Sequence, residues 1–287
     1  MLHYWAMAKA IRLFGVGDLR VGDIPDAVAG PGEVAIAVEA STINPVDRGA
    51  VDPGYGERMP GSAPWILGWD LAGTVTAVGA GVDDVRPGDR VLGFSQWFKG
   101  GPGLQRSQVA LARDNVAVVG AAIPSADLTT FGLNGLTALQ VLDAAELTSG
   151  QSLLIVGASG AVGGFVAQLA EARGLTVLTA GRSTPPSEFA GMELDALINT
   201  APADPTSYLE AVRDGGVATS VTTAAEAERG IRSSRVGVKV DQAGLATVAR
   251  LAEEGVLTTS VAATFAADDA VEAYRADAST GRVVVLF

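Results

Sequence analysis

A short apolar run, Leu153-Leu154-Ile155-Val156-Gly157, leads directly into Ala158-Ser159-Gly160-Ala161-Val162-Gly163 and then into GFVAQLAEARG, which has helical spacing. Strand, small-residue turn and helix in that order make a seat for an anion, because small side chains let the backbone approach it and the first helix amides point outward. The small residues at 158, 160 and 163 therefore point to a bound pyrophosphate, with Ser159, Gly160, Ala161 and Val162 around it. A tight strand-to-helix turn without a ligand is the plainer alternative. The next apolar run, TVLTA at 176–180, ends at Gly181-Arg182-Ser183, where a ribose with free hydroxyls calls for Asp or Glu. A guanidinium and a hydroxyl suit a 2′-phosphate instead, so the expected cofactor is NADPH, held in part by Gly181, Arg182 and Ser183. Arg182 as a solvated surface side chain is the alternative there.

Positioning such a loop requires a parallel sheet. After Pro124 the chain sets Ala/Leu-rich helical stretches between brief apolar runs, namely those at 153–157 and 176–180, ALINT at 196–200 and VATSV at 217–221. This alternation predicts an α/β unit with crossover helices. Thr200 and Ala201 follow one strand and Val221 and Thr222 another, which puts all four where ligands bind in open α/β sheets. From Ala8 to about Gly120 the pattern is different, with short β-rich segments such as Glu33–Ala40, Leu71–Val78 and Asp89–Phe94 divided by Gly, Pro and Asp turns. Beyond Asp241, Leu245, Val248 and Leu251 share one face of an expected helix, and the final VVVLF is expected to be a buried strand.

Composition removes several function classes. The 287 residues exceed one typical core and favour two packed units. Twenty basic against 32 acidic residues give a net charge of −12, which disfavours nucleic acid and anionic lipid as partners. With no cysteine and a single histidine, His3, the chain lacks thiolate nucleophiles, disulfides, Ser/His/Asp triads and zinc sites built on Cys or His. No charge-free apolar stretch is long enough to span a bilayer, and MLHYWAMAKAIRLFG does not look like a secretory signal, so the expected location is the cytoplasm, with Met7 as an alternative start.

Several blocks taken in order resemble the medium-chain dehydrogenase/reductase superfamily, in its zinc-independent quinone oxidoreductase and enoyl reductase branch. They are an opening strand at Ala8–Leu13, PGEVAIAVEASTINPVD at 31–47, LGWDLAGTVTAVGAGVDDVRPGDRVLGF at 67–94, GLTAL at 135–139, the glycine loop, and GRVVVLF at the end. The resemblance covers nearly the whole chain. It implies a GroES-like β-barrel catalytic domain over 1–119 with a returning segment at 238–287, and a doubly wound Rossmann domain over 120–237, with the active site in the cleft between them. Where zinc alcohol dehydrogenases carry a metal-binding Cys and a Gly-His-Glu, this chain has Asn44 and Gly68-Trp69-Asp70. No metal is therefore expected, and the implied reaction is hydride transfer from NADPH to a small-molecule quinone or α,β-unsaturated carbonyl, whose charge develops on a delocalised oxygen.

By resemblance, Asn44 lies at the nicotinamide and substrate end, with a turn Asn before Pro45 as the alternative. Thr137 of GLTAL resembles the family residue near the nicotinamide ring, although a Thr in a buried helix turn is equally ordinary. Asp70, Asp89 and Arg90 fall in blocks that build turns and barrel packing. Some relatives carry a tyrosine just after Asn-Pro-x-Asp, whereas this chain has Asp47-Arg48-Gly49-Ala50, so Tyr55 is the nearest candidate proton donor and solvent the other. Only residues 183–194 stand where relatives place an extra helix and strand, which implies a shortened cofactor domain. Two other readings stay open: a trans-acting enoyl reductase for carrier-bound polyketide intermediates, and a non-catalytic NADPH-binding protein. A homodimer is an open assembly.

Overall fold

Residues 7–54, 59–120, 123–279 and 281–287 are described by the computed structural model, which leaves His3 and Tyr55 outside the described residues. Alternating apolar residues in the first part of the chain give antiparallel strands. β1 (Met7–Leu13) pairs along its length with β2 (Leu19–Pro25) and at its end with β4 (Trp65–Ile66). The long strand β3 (Glu33–Ile43) organises a second sheet. One edge pairs with β5 (Asp70–Val78), which continues to β6 (Arg90–Phe94) and β8 (Val116–Val119). The other edge is shared, with β7 (Gln108–Ala112) opposite Glu33–Ala37 and β15 (Arg282–Leu286) opposite Ala40–Ile43. β15 in turn pairs in parallel with β14 (Val261–Ala266). The fully buried Val34, Ile36, Leu71, Val91, Leu104 and Val116 fill the space these strands enclose, and removing such side chains from water is the main driving force for the unit.

The second unit is built on five parallel strands: β9 (Ser152–Val156), β10 (Thr176–Ala180), β11 (Leu194–Asn199), β12 (Val212–Ser220) and β13 (Arg232–Arg235). Their spatial order is β10-β9-β11-β12-β13, so the direction of winding reverses at β9. α4 (Ala161–Ala172) makes the β9-to-β10 crossover. Helices were expected between the later strands too, and the structure differs there. A 3-10 turn at Pro186–Glu188 joins β10 to β11, a second at Thr206–Ala211 joins β11 to β12, and no helix separates β12 from β13. Pro185, Pro186, Pro202 and Pro205 explain the first two, since proline removes the amide a longer helix needs.

By internal contacts, one unit comprises the described residues through Leu133 with Lys239–Glu253 and Thr259–Phe287, and the other Asn134–Val238 with Glu254–Thr258. α3 (Phe131–Asp143) begins in the first and continues into the second. α5 (Gln242–Glu253) buries Leu245 and Val248, as its spacing indicates, and packs on β8. Among the described residues no helix is long and apolar enough to cross a membrane.

The N-terminal edge of the parallel sheet is held by one carboxylate. Asp195 accepts hydrogen bonds from the Ser152 backbone N–H (2.8 Å), the Ser152 hydroxyl (3.0 Å), the Gln151 amide (3.1 Å) and Arg213 Nε (2.9 Å). Partial burial raises its pKa, but these donors outweigh that and hold it at about 2. Because the folded-state pKa is depressed, the stabilisation is present above the ordinary carboxylate range and is lost as pH falls toward 2. Asp195→Asn is expected to lower Tm at pH 7 by roughly 3 °C or more, and the difference from wild type should shrink steadily when melting is followed from pH 5 down to pH 2.5.

Candidate cofactor and acceptor sites

At the C-terminal edge of the parallel sheet, β9 runs into Gly157, whose φ of +90° lies in the left-handed region. A Cβ on Gly157 would stand 2.8 Å from Thr200 Oγ1, and one on Gly163 would stand 2.3 Å from the Gly157 carbonyl oxygen. Both positions therefore require glycine: the first turn of α4 packs against the turn that precedes it, with no room for a side chain. Thr200 seals the junction, its hydroxyl donating to the carbonyls of Val156 (3.0 Å) and Gly157 (3.2 Å). Gly157 is the residue whose role sequence reading missed, because a glycine ending an apolar run carries no sign of its backbone angle.

Gly160 is different. It is the N-cap of α4, with no side-chain cap and an ordinary φ of −80°, and a Cβ there would meet only the Gly157 carbonyl, at 3.3 Å. Ser159 and Gly160 are exposed, and Ala161 and Val162 half-buried. The first amides of α4 have no acceptor within the helix, so the surface at Gly160 combines exposed backbone, N–H donors and the positive end of a helix dipole, which fits a pyrophosphate. Gly181, Arg182 and Ser183 are exposed at the end of β10. Their turn is closed by Gly181 N–H to Thr184 Oγ1 (3.1 Å), and Tyr208 OH donates to the Thr184 carbonyl (3.0 Å).

Thr200, Ala201, Val221 and Thr222 all emerge on the same edge, since β11 and β12 are parallel to β9. Thr222 Oγ1 donates to the Ala201 carbonyl at 2.9 Å, joining the two loops. Thr137 lies buried on α3, one turn before Val141, whose carbonyl accepts from Thr219 Oγ1 (3.2 Å) at the end of β12. The C-terminal edge of this sheet thus carries Ser159–Val162, Gly181–Ser183, Thr200, Ala201, Val221 and Thr222.

Asn44 belongs to the antiparallel unit, where it caps α1 (Pro45–Val51) and is fully buried. Its backbone N–H donates to Asp47 Oδ2 (3.0 Å), and its Nδ2 donates to Asp70 Oδ2 (2.9 Å). Asp70 also accepts from the Thr42 backbone N–H (2.9 Å) and Thr129 Oγ1 (3.1 Å), and Asp47 from the Gly68 N–H (3.0 Å). Burial drives both carboxyl groups up, Asp47 to about 7 with the Asp70 charge adding to the effect, and Asp70 to about 6. Arg282 lies close enough for the Asp70 charge to raise its pKa, although burial lowers it further; it stands next to Val283, which faces Ile43 across the β15–β3 pairing. Asp89 accepts the Arg86 N–H (2.8 Å) in a turn, and Arg90 donates to Ser125 (2.9 Å). Among the described residues, no three His, Cys, Asp or Glu side chains are grouped to hold a metal ion.

A raised carboxyl pKa has a stability consequence of definite sign. The folded state binds more protons than the unfolded chain between about pH 4 and pH 7, so stability is greatest at the acidic end of that window and is lost as pH rises through the folded pKa values. Melting of the wild type is expected to weaken from pH 5 to pH 8, by on the order of a few kcal/mol, and Asp47→Asn should flatten that slope whatever its effect on absolute Tm.

Residues 30–138 match the family model of the alcohol dehydrogenase GroES-like domain. The chain is 35% identical over 182 residues to a quinone oxidoreductase of Rattus norvegicus, covering 61% of this chain and 53% of that protein. It is 32% identical over 160 residues to a mitochondrial enoyl-acyl-carrier-protein reductase of Bos taurus, covering 55% of this chain and 41% of that protein. It therefore spans about half the length of these curated relatives. The crystal structure of an alcohol dehydrogenase superfamily protein from Novosphingobium aromaticivorans superposes with a TM-score of 0.87 at 24% identity, covering 98% of this chain and 100% of that one.

Proposed function

We propose, from the match of residues 30–138 to the GroES-like domain family and the likeness to quinone oxidoreductases and enoyl reductases, that the chain is a member of the medium-chain dehydrogenase/reductase superfamily, a zinc-independent reductase of quinones or α,β-unsaturated carbonyls that uses NADPH. The observation that carries the reading is the Gly160 surface: an exposed, uncapped helix N-terminus over a turn that two glycines hold tight. The α4 amides with Ser159, Gly160, Ala161 and Val162 would hold the pyrophosphate. Arg182 and Ser183 would hold the 2′-phosphate, with Gly181 leaving the backbone open beside them. Thr200, Ala201, Val221, Thr222 and Thr137 would line the nicotinamide half, because the sheet order puts β11 and β12 on the side of β9 away from β10. NADPH, when bound, supplies the hydride.

The Asn44 amide is engaged with Asp70, so its part is to keep that buried carboxylate and the start of α1 in place. Asn44→Ala would leave Asp70 Oδ2 short of a charge-assisted donor, a loss felt in stability as well as turnover. The substitution of Asn44 and Gly68-Trp69-Asp70 for metal-binding residues supports chemistry without zinc, and a conjugated acceptor suits it because its developing charge is delocalised. Tyr55 and solvent are the two candidates for the proton that completes the reduction.

NADPH is expected to bind at least tenfold more tightly than NADH, and Arg182→Ala to erase most of that difference; titration of both cofactors against both proteins checks it, and equal affinities in the wild type would overturn the 2′-phosphate assignment. Gly160→Val should remain folded with a modest loss of Tm, since a Cβ there meets only the Gly157 carbonyl at 3.3 Å and valine is a poor N-cap, yet lose NADPH binding. NADPH oxidation with a panel of quinones and enones tests the reaction itself.

A further inference from the structure

Asn199, the last residue of β11, is fully buried and is the most heavily bonded side chain on the C-terminal edge of the parallel sheet. Its Nδ2 lies within hydrogen-bond distance of the Ala201 carbonyl (3.2 Å), the Ala203 carbonyl (3.0 Å), Ser220 Oγ (3.2 Å) and Thr222 Oγ1 (3.2 Å). Its Oδ1 accepts the Ala201 N–H at 3.1 Å. Acceptors on one side and a backbone donor on the other fix the orientation of the amide. Two of these partners lie in the loop after β11 and two at the end of β12. Thr222 reinforces the link by donating its hydroxyl to the Ala201 carbonyl and its backbone N–H to Ser220 Oγ, at 3.1 Å.

No α-helix follows β11 or β12 to brace these loops: β11 is followed by irregular chain and then a 3-10 turn at Thr206–Ala211, and β12 by irregular chain alone. The Asn199 amide does that work from beneath, in the place a helix turn occupies after β9. The phosphate loop also has braces that do not use the Asn199 side chain, the Thr200 hydroxyl on the carbonyls of Val156 and Gly157 and the packing of Gly157 on Gly163, although Gly157 borders Ala201 as well.

We propose that Asn199 is a positioning residue for the nicotinamide half of the cofactor, acting through Ala201 and Thr222 and without effect on the adenosine half. This rests on the NADPH reading above. It implies that the two halves of the cofactor are held by separately braced parts of one sheet edge, so that damage to one brace shows in one half only.

The test compares NADPH with adenosine 2′,5′-bisphosphate, which keeps the adenosine end and lacks the nicotinamide, in wild type, Asn199→Ala and Thr222→Val. Asn199→Ala is expected to weaken NADPH at least tenfold while leaving the bisphosphate within twofold, and to speed hydrogen exchange at residues 200–204 and 220–223 but not in α4. Thr222→Val, which removes one strap only, should show the same split at about threefold and stands in if Asn199→Ala does not fold. Parallel loss of both ligands would make Asn199 a general structural residue, and unchanged NADPH affinity would make it dispensable; either overturns the inference while the NADPH reading stands. A wild-type protein that binds neither ligand overturns that reading and this inference together.

Discussion

The antiparallel unit depends on a buried carboxylate to which, among the described residues, no cation is bonded. Asp70 sits at the start of β5, and its two oxygens collect a backbone amide from β3, the hydroxyl of Thr129 and the amide of Asn44. A single buried ion thereby ties β3, β5, the start of α1 and the helix Ser125–Thr129 to one point. Burying a charge costs far more than one hydrogen bond returns, so such a group persists only where several donors converge. Asp47 repeats the arrangement one step away, with the Gly68 and Asn44 amides. Both carboxyl groups respond by holding protons more tightly than exposed ones, which makes this region sensitive to pH in a way the unit's apolar core is not.

The parallel unit solves a different problem. It must leave helix amides and loop backbone free to face a ligand, yet keep them from moving. Backbone-to-backbone packing at Gly157 and Gly163 does this for the turn after β9, where any side chain would push strand and helix apart. After β11 and β12 there is no crossover α-helix to pack against, and polar side chains take over, with Asn199, Ser220 and Thr222 bonding loop to loop. The Asp195 clamp does the same at the opposite end of the sheet. The short connections that leave this domain small are thus compensated by buried hydrogen bonds, which are specific in direction where apolar packing is not.

Periodicity made most of the architecture legible. TVLTA forms β10 residue for residue, and the runs at 153–157, 196–200 and 217–221 each form a strand with ends displaced by a few residues. Local patterns determine which face of a segment is apolar, and that is enough to set strand or helix. Helices between the later strands were not correctly foreseen, because Ala-rich composition suggested them, while the prolines at 185, 186, 202 and 205 prevented those from β10 to β11 and from β11 to β12.

By itself the sequence determined the order of strand, glycine turn and helix, the absence of an acid at the end of β10, and the absence of Cys and His at 44 and 68–70. These are facts of residue type and spacing, and they carry over unchanged into the fold. Only the tertiary structure decided that Gly157 and Gly163 are sterically obligatory while a Cβ on Gly160 would meet one carbonyl alone, because that depends on which atoms approach from Thr200 and from the turn itself. It also decided that the Asn44 amide is spent on Asp70, two residues 26 positions apart, and that Asn199 binds two loops that are remote from each other in the chain. A hydrogen bond between distant residues leaves no periodic trace in either neighbourhood; it exists only once the strands that carry its partners have found their register.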